Sequence, residues 1–295
     1  MSSELFQAIE EIIEKETSQR SIIQSVRPTT GGCINDTAVA TLNDGREFFV
    51  KSNHKAPELF GSESIGLKAI RKTNTIRVPE VVGTTITQSG VGILVLEKID
   101  STLPNSNFFE NFGRKLAELH RVGVSEKFGF EANNHIGQTR QINSWDDDWI
   151  QFWSVNRIGF QLDLASRNGY ATRDLTEGCE KVNRRLEQLI GRNEVPPSLI
   201  HGDLWSGNFM VSPDGQPVLV DPAVYFGARE TEFGITTLFG GFDSRFYAAY
   251  NERWPMPEGW QDRVEIYKLY HLLNHLNLFG TRYLSSCFEI IKKFD

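Results

Sequence analysis

A chain of 295 residues with 39% hydrophobic and 23% charged side chains is long enough for two small domains or two lobes around a cleft, and it fits neither disorder nor a fibrous repeat. Its 31 Lys and Arg against 38 Asp and Glu leave a formal charge of -7, so no global basic field draws it to nucleic acid or anionic lipid. Three widely spaced cysteines, Cys33, Cys179 and Cys287, with no CxxC pair indicate neither a disulfide framework nor a zinc site.

The amino terminus, MSSELFQAIEEIIEKE, carries acid where a signal peptide needs a basic flank and an apolar block, and no apolar run approaches the roughly 18 residues of a membrane span. A soluble, cytoplasmic protein without membrane contact is expected. Leu5, Ile9, Ile12 and Ile13 recur at helical spacing before Pro28 and the pair Gly31-Gly32 break the pattern. In DTAVATLNDGREFFVKS, Asp44-Gly45 is a hairpin signal between two strand-like runs. A helix is expected over PELFGSESIGLKAIRK and two further strands in VPEVVGTTITQSGVGILVLEKID. Up to about Asp100 the chain is therefore strands with an inserted helix, and STLPNSN supplies a linker. Beyond it, Phe109, Phe112, Leu116 and Leu119 mark an amphipathic helix, another runs through WDDDWIQFWSVNRIGFQLDLASRNG, and a last one through DRVEIYKLYHLLNHLNLFG. The pattern predicts an α+β architecture, with a β-rich lobe over residues 1–99 and a helical lobe over 100–295.

Between the helical segments lies the stretch with most chemistry. SLIHGDLWSGNFMV predicts a polar loop running into a short strand, PVLVDPA a second strand closing on Asp221, and Pro213-Asp214-Gly215 the turn between them. Asp203, Asn208 and Asp221 then converge at one edge of a hairpin, with Pro222 biasing Asp221 toward extended backbone at the strand tip. Phosphoryl transfer asks for that set. One carboxylate orients a hydroxyl and takes its proton, while an amide oxygen and a second carboxylate hold magnesium against phosphates. These hard oxygen donors suit magnesium or manganese better than zinc. A nucleotide also needs a cation. REFFVKS puts Lys51 on the outgoing strand of the first hairpin, and Glu63 on the following helix is placed to hold it by an ion pair. Upstream, Gly31 and Gly32 in TTGGCINDTAV allow backbone N–H groups to approach phosphates. Cys33 sits in that loop, where the same dipoles would lower a thiol's pKa, although a small residue that merely fits the turn explains it equally.

With GGCIN, FFVKSN, LVLEKID, LAELH, LIHGDLWSGN, VDPAVYFG and FGGF in this order, the chain resembles the fructosamine kinase (ketosamine 3-kinase) family of the protein-kinase-like superfamily. The resemblance implies a bilobal protein-kinase-like fold with ATP in the cleft. It implies that Lys51 contacts the α- and β-phosphates with Glu63 positioning it, that Asp203 is the catalytic base, and that Asn208 and Asp221 ligate Mg2+. By the same resemblance Glu97, Lys98 and Ile99 form the hinge whose backbone reads adenine. The reaction it implies moves the γ-phosphate of ATP to the sugar 3-hydroxyl of a ketoamine, free or on a glycated protein. Trp205, beside the base, is a candidate to stack on the sugar or its amine substituent, and Asn274 and His275 lie in segments that resemble the acceptor wall. Asp146 to Asp148 would suit a cationic amine if they lined that site, but read more readily as a plain solvated helix start. His201-Gly202-Asp203 lacks the arginine that many protein kinases use to grip a phosphorylated loop, and GARETEFGI departs from the commoner aspartate-rich segment. His201 and His120 read as structural histidines. Two alternatives share these residues in part: a kinase of another small alcohol, such as an aminoglycoside or choline, and a nucleotide-binding pseudokinase, which would not need Asp203.

Overall fold

A computed structural model describes residues 3–29, 35–191 and 196–294. Helix α1 (Ser3–Thr17) leads into strands β1 (Ile23–Pro28), β2 (Asp36–Leu42) and β3 (Glu47–Asn53), then α2 (Leu59–Lys72), β4 (Val81–Ile86) and β5 (Gly92–Glu97). The strands pair antiparallel in the order β1-β2-β3-β5-β4. Side chains alternate across a strand, and β5 shows both faces in use. Ile93 and Val95 pack with Val50, Ala40 and the α1 residues Ile9 and Ile13, whereas Leu94 and Leu96 join Phe60 and Leu67 of α2 in a second cluster. The continuous apolar run in β5 is thus a strand covered on both sides. Each of Ile9 and Ile13, fully buried, contributes about 1.5–3 kcal/mol to seating α1 on the sheet.

After β5 the chain turns helical: α3 (Phe108–Val122), a hairpin of β6 (Asn134–Ile136) and β7 (Thr139–Gln141), α4 (Trp149–Trp153), a π-helical segment (Ser154–Gly159), α5 (Phe160–Arg167), α6 (Arg173–Arg184) and α7 (Leu186–Ile190). Next come β8 (Ser198–Ile200), β9 (Phe209–Val211), β10 (Pro217–Leu219), β11 (Tyr225–Gly227), α8 (Thr231–Thr236), α9 (Ser244–Arg253), α10 (Trp260–Phe279), a 3-10 turn (Thr281–Tyr283) and α11 (Leu284–Lys293). One apolar cluster extends from Leu94 and Leu96 through Phe112 and Leu116 of α3 to Leu199 and Val224. The gap above it, between the sheet and the loops after β8 and β10, is the cleft in which the polar residues meet.

Two local expectations change. The stretch before the first hairpin contains strand β1, an edge strand whose residues are half-buried or exposed; lacking a buried face, it carries no alternating apolar signal. The single helix expected from Trp145 onward is interrupted by the π-helical turn, which brings Arg157 inward. Asp148 caps α4 by accepting from Ile150 N (2.7 Å) and Gln151 N (3.2 Å), and Asp147 pairs with Lys127. Asp146 to Asp148 are therefore the helix start rather than a lining of the cleft. No helix among the described residues is long and apolar enough to cross a membrane.

Candidate active site

The alternation that sends Val50 toward α1 sends Phe49 and Lys51 to the opposite, cleft-facing side of β3. There Lys51 Nζ donates to Glu63 Oε1 of α2 at 2.6 Å and also pairs with the Asp221 carboxylate. Burial alone would push the ammonium toward deprotonation, but Glu63 and then Asp221 more than offset it and hold Lys51 above the usual lysine range. Burial in turn raises the Glu63 carboxyl, with Lys51 opposing.

Asp203 stands just beyond β8. His201, fully buried, places its Nε2 2.8 Å from Val220 O, and since a carbonyl only accepts, Nε2 carries the proton. Its Nδ1 is then the acceptor for the Asp203 N–H at 3.3 Å. The imidazole is a neutral crosspiece between the two loops, and burial pushes its pKa down. Gly202 has φ +82°, and a Cβ there would stand 2.2 Å from Ala223 O, so only glycine fits between these loops. Asn208 Nδ2 donates to Asp203 O at 2.7 Å and to Asp203 Oδ2 at 3.2 Å. This fixes the amide, leaving its Oδ1 as an oxygen donor on the other side. Burial first, and the nearby Asp221 charge second, push the Asp203 carboxyl up, with the Asn208 hydrogen bond opposing.

Asp221 corrects the sequence expectation. Strand β10 ends at Leu219, and Asp221 has φ +55° rather than extended backbone. An aspartate in the left-handed region is held there by its surroundings, and such strain concentrates at functional sites. Ala223 N donates to His201 O (2.9 Å), Gln141 Nε2 to Ala223 O (3.0 Å) and Asn134 Nδ2 to Val224 O (2.7 Å). Asn143 Nδ2 donates to Asn134 Oδ1 (2.9 Å), and Arg157 NH2 to Asn143 Oδ1 (2.8 Å), with the guanidinium 4.0 Å from the Tyr225 ring centre. On the other side Glu232 of α8, wholly buried, accepts from His201 N (2.5 Å) and Gly202 N (3.0 Å). Sequence reasoning missed this support, because amides in a short hairpin carry no periodicity and Glu232 lies in a segment that reads as charged surface.

A cleft of about 1070 Å³ joins these groups, reaching from Thr37 and Lys51 past Asp203, Asn208 and Asp221 to Asn274 and His275. At its edge the hinge side chains are engaged elsewhere. Glu97 receives Arg77 NH2 (2.6 Å) and Glu80 N (3.1 Å), and Lys98 pairs with Asp100 (2.5 Å) and Glu47 (3.1 Å). Glu97 N–H is also taken, by Glu80 O at 2.8 Å. Ile99 lines the cleft beside them. Trp205 is 38% exposed in the loop after Asp203 and folds over Gly207, where a Cβ would meet the indole at 2.4 Å. Asn274 of α10 is buried, its Oδ1 accepting from Gln161 Nε2 at 3.3 Å. His275 Nδ1 lies 2.8 Å from His271 O and must donate, so Nε2 is left as an acceptor. Burial, reinforced by Arg282 and opposed by the His271 carbonyl, keeps that imidazole neutral. Gly31, Gly32 and Cys33 lie outside the described residues. His120, buried between α3 and α9, bonds Tyr250 Oη at 2.8 Å.

A family model described as fructosamine kinase matches residues 5–294. The chain is 41% identical over 271 residues to the chloroplastic protein-ribulosamine 3-kinase of Arabidopsis thaliana, covering 91% of this chain and 82% of that protein. Among solved structures, one from Haemophilus somnus assigned provisionally as a fructosamine-3-kinase superposes with a TM-score of 0.87 at 29% identity, covering 98% of this chain and 99% of the other. An aminoglycoside phosphotransferase superposes with a TM-score of 0.63 at 14% identity, over 97% and 98% of the two chains, and shares the protein-kinase-like fold.

Proposed function

The chain belongs to the fructosamine kinase family, and on that premise we propose that it transfers the γ-phosphoryl group of ATP to the 3-hydroxyl of a ketoamine, the adduct of a sugar and an amine. The observation that carries this reading is the meeting, in one cleft, of the hydrogen-bonded pair Asp203–Asn208 with the Lys51–Glu63–Asp221 cluster. Residues 1–99 supply the phosphate-side lobe and residues 100–295 the reacting groups.

Asp203 accepts the proton of the acceptor hydroxyl as its oxygen bonds to the γ-phosphorus, the bond to the bridging oxygen breaks, and ADP leaves. Lys51 presents its charge to the α- and β-phosphates, and Glu63 keeps that charge on the cleft side of β3. The backbone around Lys98 and Ile99 is left to read the base, since the neighbouring side chains are committed. Trp205, Asn274 and His275 form the acceptor end, where the neutral His275 Nε2 accepts from a sugar hydroxyl. No group of three or more His, Cys, Asp or Glu side chains among the described residues gathers to hold a metal by itself. Asn208 Oδ1 and the half-exposed Asp221 carboxylate nevertheless form the sparse oxygen donor set that Mg2+ takes when phosphates complete its shell. Bound there, the ion would neutralise charge on the transferring phosphates.

The test is Asp203→Ala in an ADP-release assay with ATP and a fructosamine or ribulosamine, the acceptor being read by mass spectrometry. A loss of about 10²-fold or more with nucleotide binding retained is expected. Wild-type turnover in that variant, or no phosphorylated ketoamine from the wild type, refutes the reading.

A further inference from the structure

Beyond Asn274 and His275 the cleft ends in a cation. Arg282, on the 3-10 turn after α10, is exposed and lines the cleft with Phe239, Phe279 and Tyr283. Its guanidinium lies 5.4 Å from the Phe279 ring centre and 5.2 Å from that of Tyr283. It has no carboxylate partner among the described residues, unlike Arg245, Arg253 and Arg263 of the same lobe. Four carboxylates line the cleft, none of them on α10 or the turn after it, and each is engaged: Glu63 and Asp221 with Lys51, Glu97 with Arg77, and Asp203 with Asn208. The far wall of the cleft, in a protein with a charge of -7, is thus aromatic and positive.

A ketoamine nitrogen in its protonated form, entering alone, is repelled there. A carboxylate beside that nitrogen reverses the sign. Two rings flank the exposed guanidinium, so a carboxylate is met by a fork that loses little freedom on pairing. We propose, on the ketoamine-kinase reading above, that Arg282 is a specificity-determining residue that receives a carboxylate on the amine-bearing half of the substrate. The preferred substrate class is then ketoamines of amino acids, or of peptides with an acidic side chain next to the glycated amine, over ketoamines of simple amines.

The test compares two acceptors that differ only in the carboxylate, the fructosyl adducts of glycine and of methylamine, in ADP-release kinetics with ATP. The wild type favours the glycine adduct by about tenfold in kcat/KM, through KM, as a partly exposed charge-assisted hydrogen bond predicts. Arg282→Gln brings the ratio to about one, Arg282→Lys keeps part of it, and Arg282→Glu inverts it. Glycated-lysine peptides with a neighbouring Glu or Gln form a second pair. A preference seen only with the peptides assigns the carboxylate to a protein-bound source, and one seen only with the glycine adduct to a free amino acid. A ratio near one in the wild type on both pairs, or a ratio unchanged by Arg282→Gln, overturns the inference while leaving the kinase reading intact. Failure of the wild type to phosphorylate any of the four overturns that reading and the inference together.

Discussion

Glu232 holds the two residues that precede Asp203, although it does not line the cleft. Its carboxylate accepts the His201 and Gly202 N–H groups at 2.5 and 3.0 Å, and both donors are buried. Glu232→Ala leaves two buried donors without acceptors at about 1–3 kcal/mol each, or ~2–6 kcal/mol together. That is a large share of the roughly 5–15 kcal/mol by which a domain is stable, so this variant is expected to fold poorly. Glu232→Gln is the informative change. Its amide oxygen serves one N–H while its NH2 faces the other, so one bond is lost, at about 1–3 kcal/mol. Urea unfolding should show a lower midpoint with an unchanged slope. The same preparation should lose kcat more than it gains KM for ATP, because the loop that carries Asp203 shifts while β3 and α2 do not. A Gln variant with the midpoint and kcat of the wild type would refute the claim that Glu232 holds the loop.

Other outcomes follow from the same geometry. Gln141→Ala frees Ala223 O and is expected to raise the divalent-ion concentration needed for half-maximal rate several-fold, read from a metal titration at saturating ATP; an unchanged titration would mean that Gln141 does not position Asp221. Gly207→Ala drives a methyl into the Trp205 indole and should raise KM for the ketoamine without moving KM for ATP. Burial, with help from His275 and Arg157, pushes His271 down to about 3. At neutral pH the folded and unfolded chains both hold it neutral. As pH falls below about 6.5 only the unfolded chain takes up the proton, so stability is lost by about 1.4 kcal/mol per unit, or ~2 kcal/mol at pH 5. His271→Gln should flatten that part of the urea-midpoint profile between pH 7 and 5, and an equal slope in both proteins would show that His271 does not contribute.

How much of this was legible in the sequence depends on whether a residue's role is local or relational. Asp44-Gly45 announced the first hairpin, and the Lys51↔Thr37 register follows from it, so the pairing of Lys51 with Glu63 was readable as an ordered spacing along strand and helix. Asp203, Asn208 and Asp221 were readable for the same reason, since a short hairpin leaves little freedom in where its ends meet. What the sequence does not carry is the conformation of Asp221. Pro222 argues for extended backbone, yet Asp221 is left-handed, because the chain on either side of it is fixed by partners remote in sequence: Val220 O by His201, Ala223 N by His201 O, and Ala223 O by Gln141. The local preference is worth about a kilocalorie or two, and those bonds together outweigh it.

Arg157 and Glu232 fail to show for a related reason. A charged residue between apolar ones predicts a solvated face, and these are buried because each meets a group that no spacing rule brings near: Asn143 Oδ1 and the Tyr225 ring for one, two backbone N–H groups for the other. Both act on the same two loops, from opposite sides. Residues that would touch substrate therefore announce themselves in short motifs, while those that hold the motifs in place are dispersed over β6, β7, the π-helical turn and α8. The supporting set should then tolerate substitution less predictably than its chemistry suggests. Asn134→Asp keeps size and removes the donor to Val224 O, so it costs more than a change of exposed Asn to Asp elsewhere, by about the 1–3 kcal/mol of one unsatisfied buried carbonyl and one uncompensated charge.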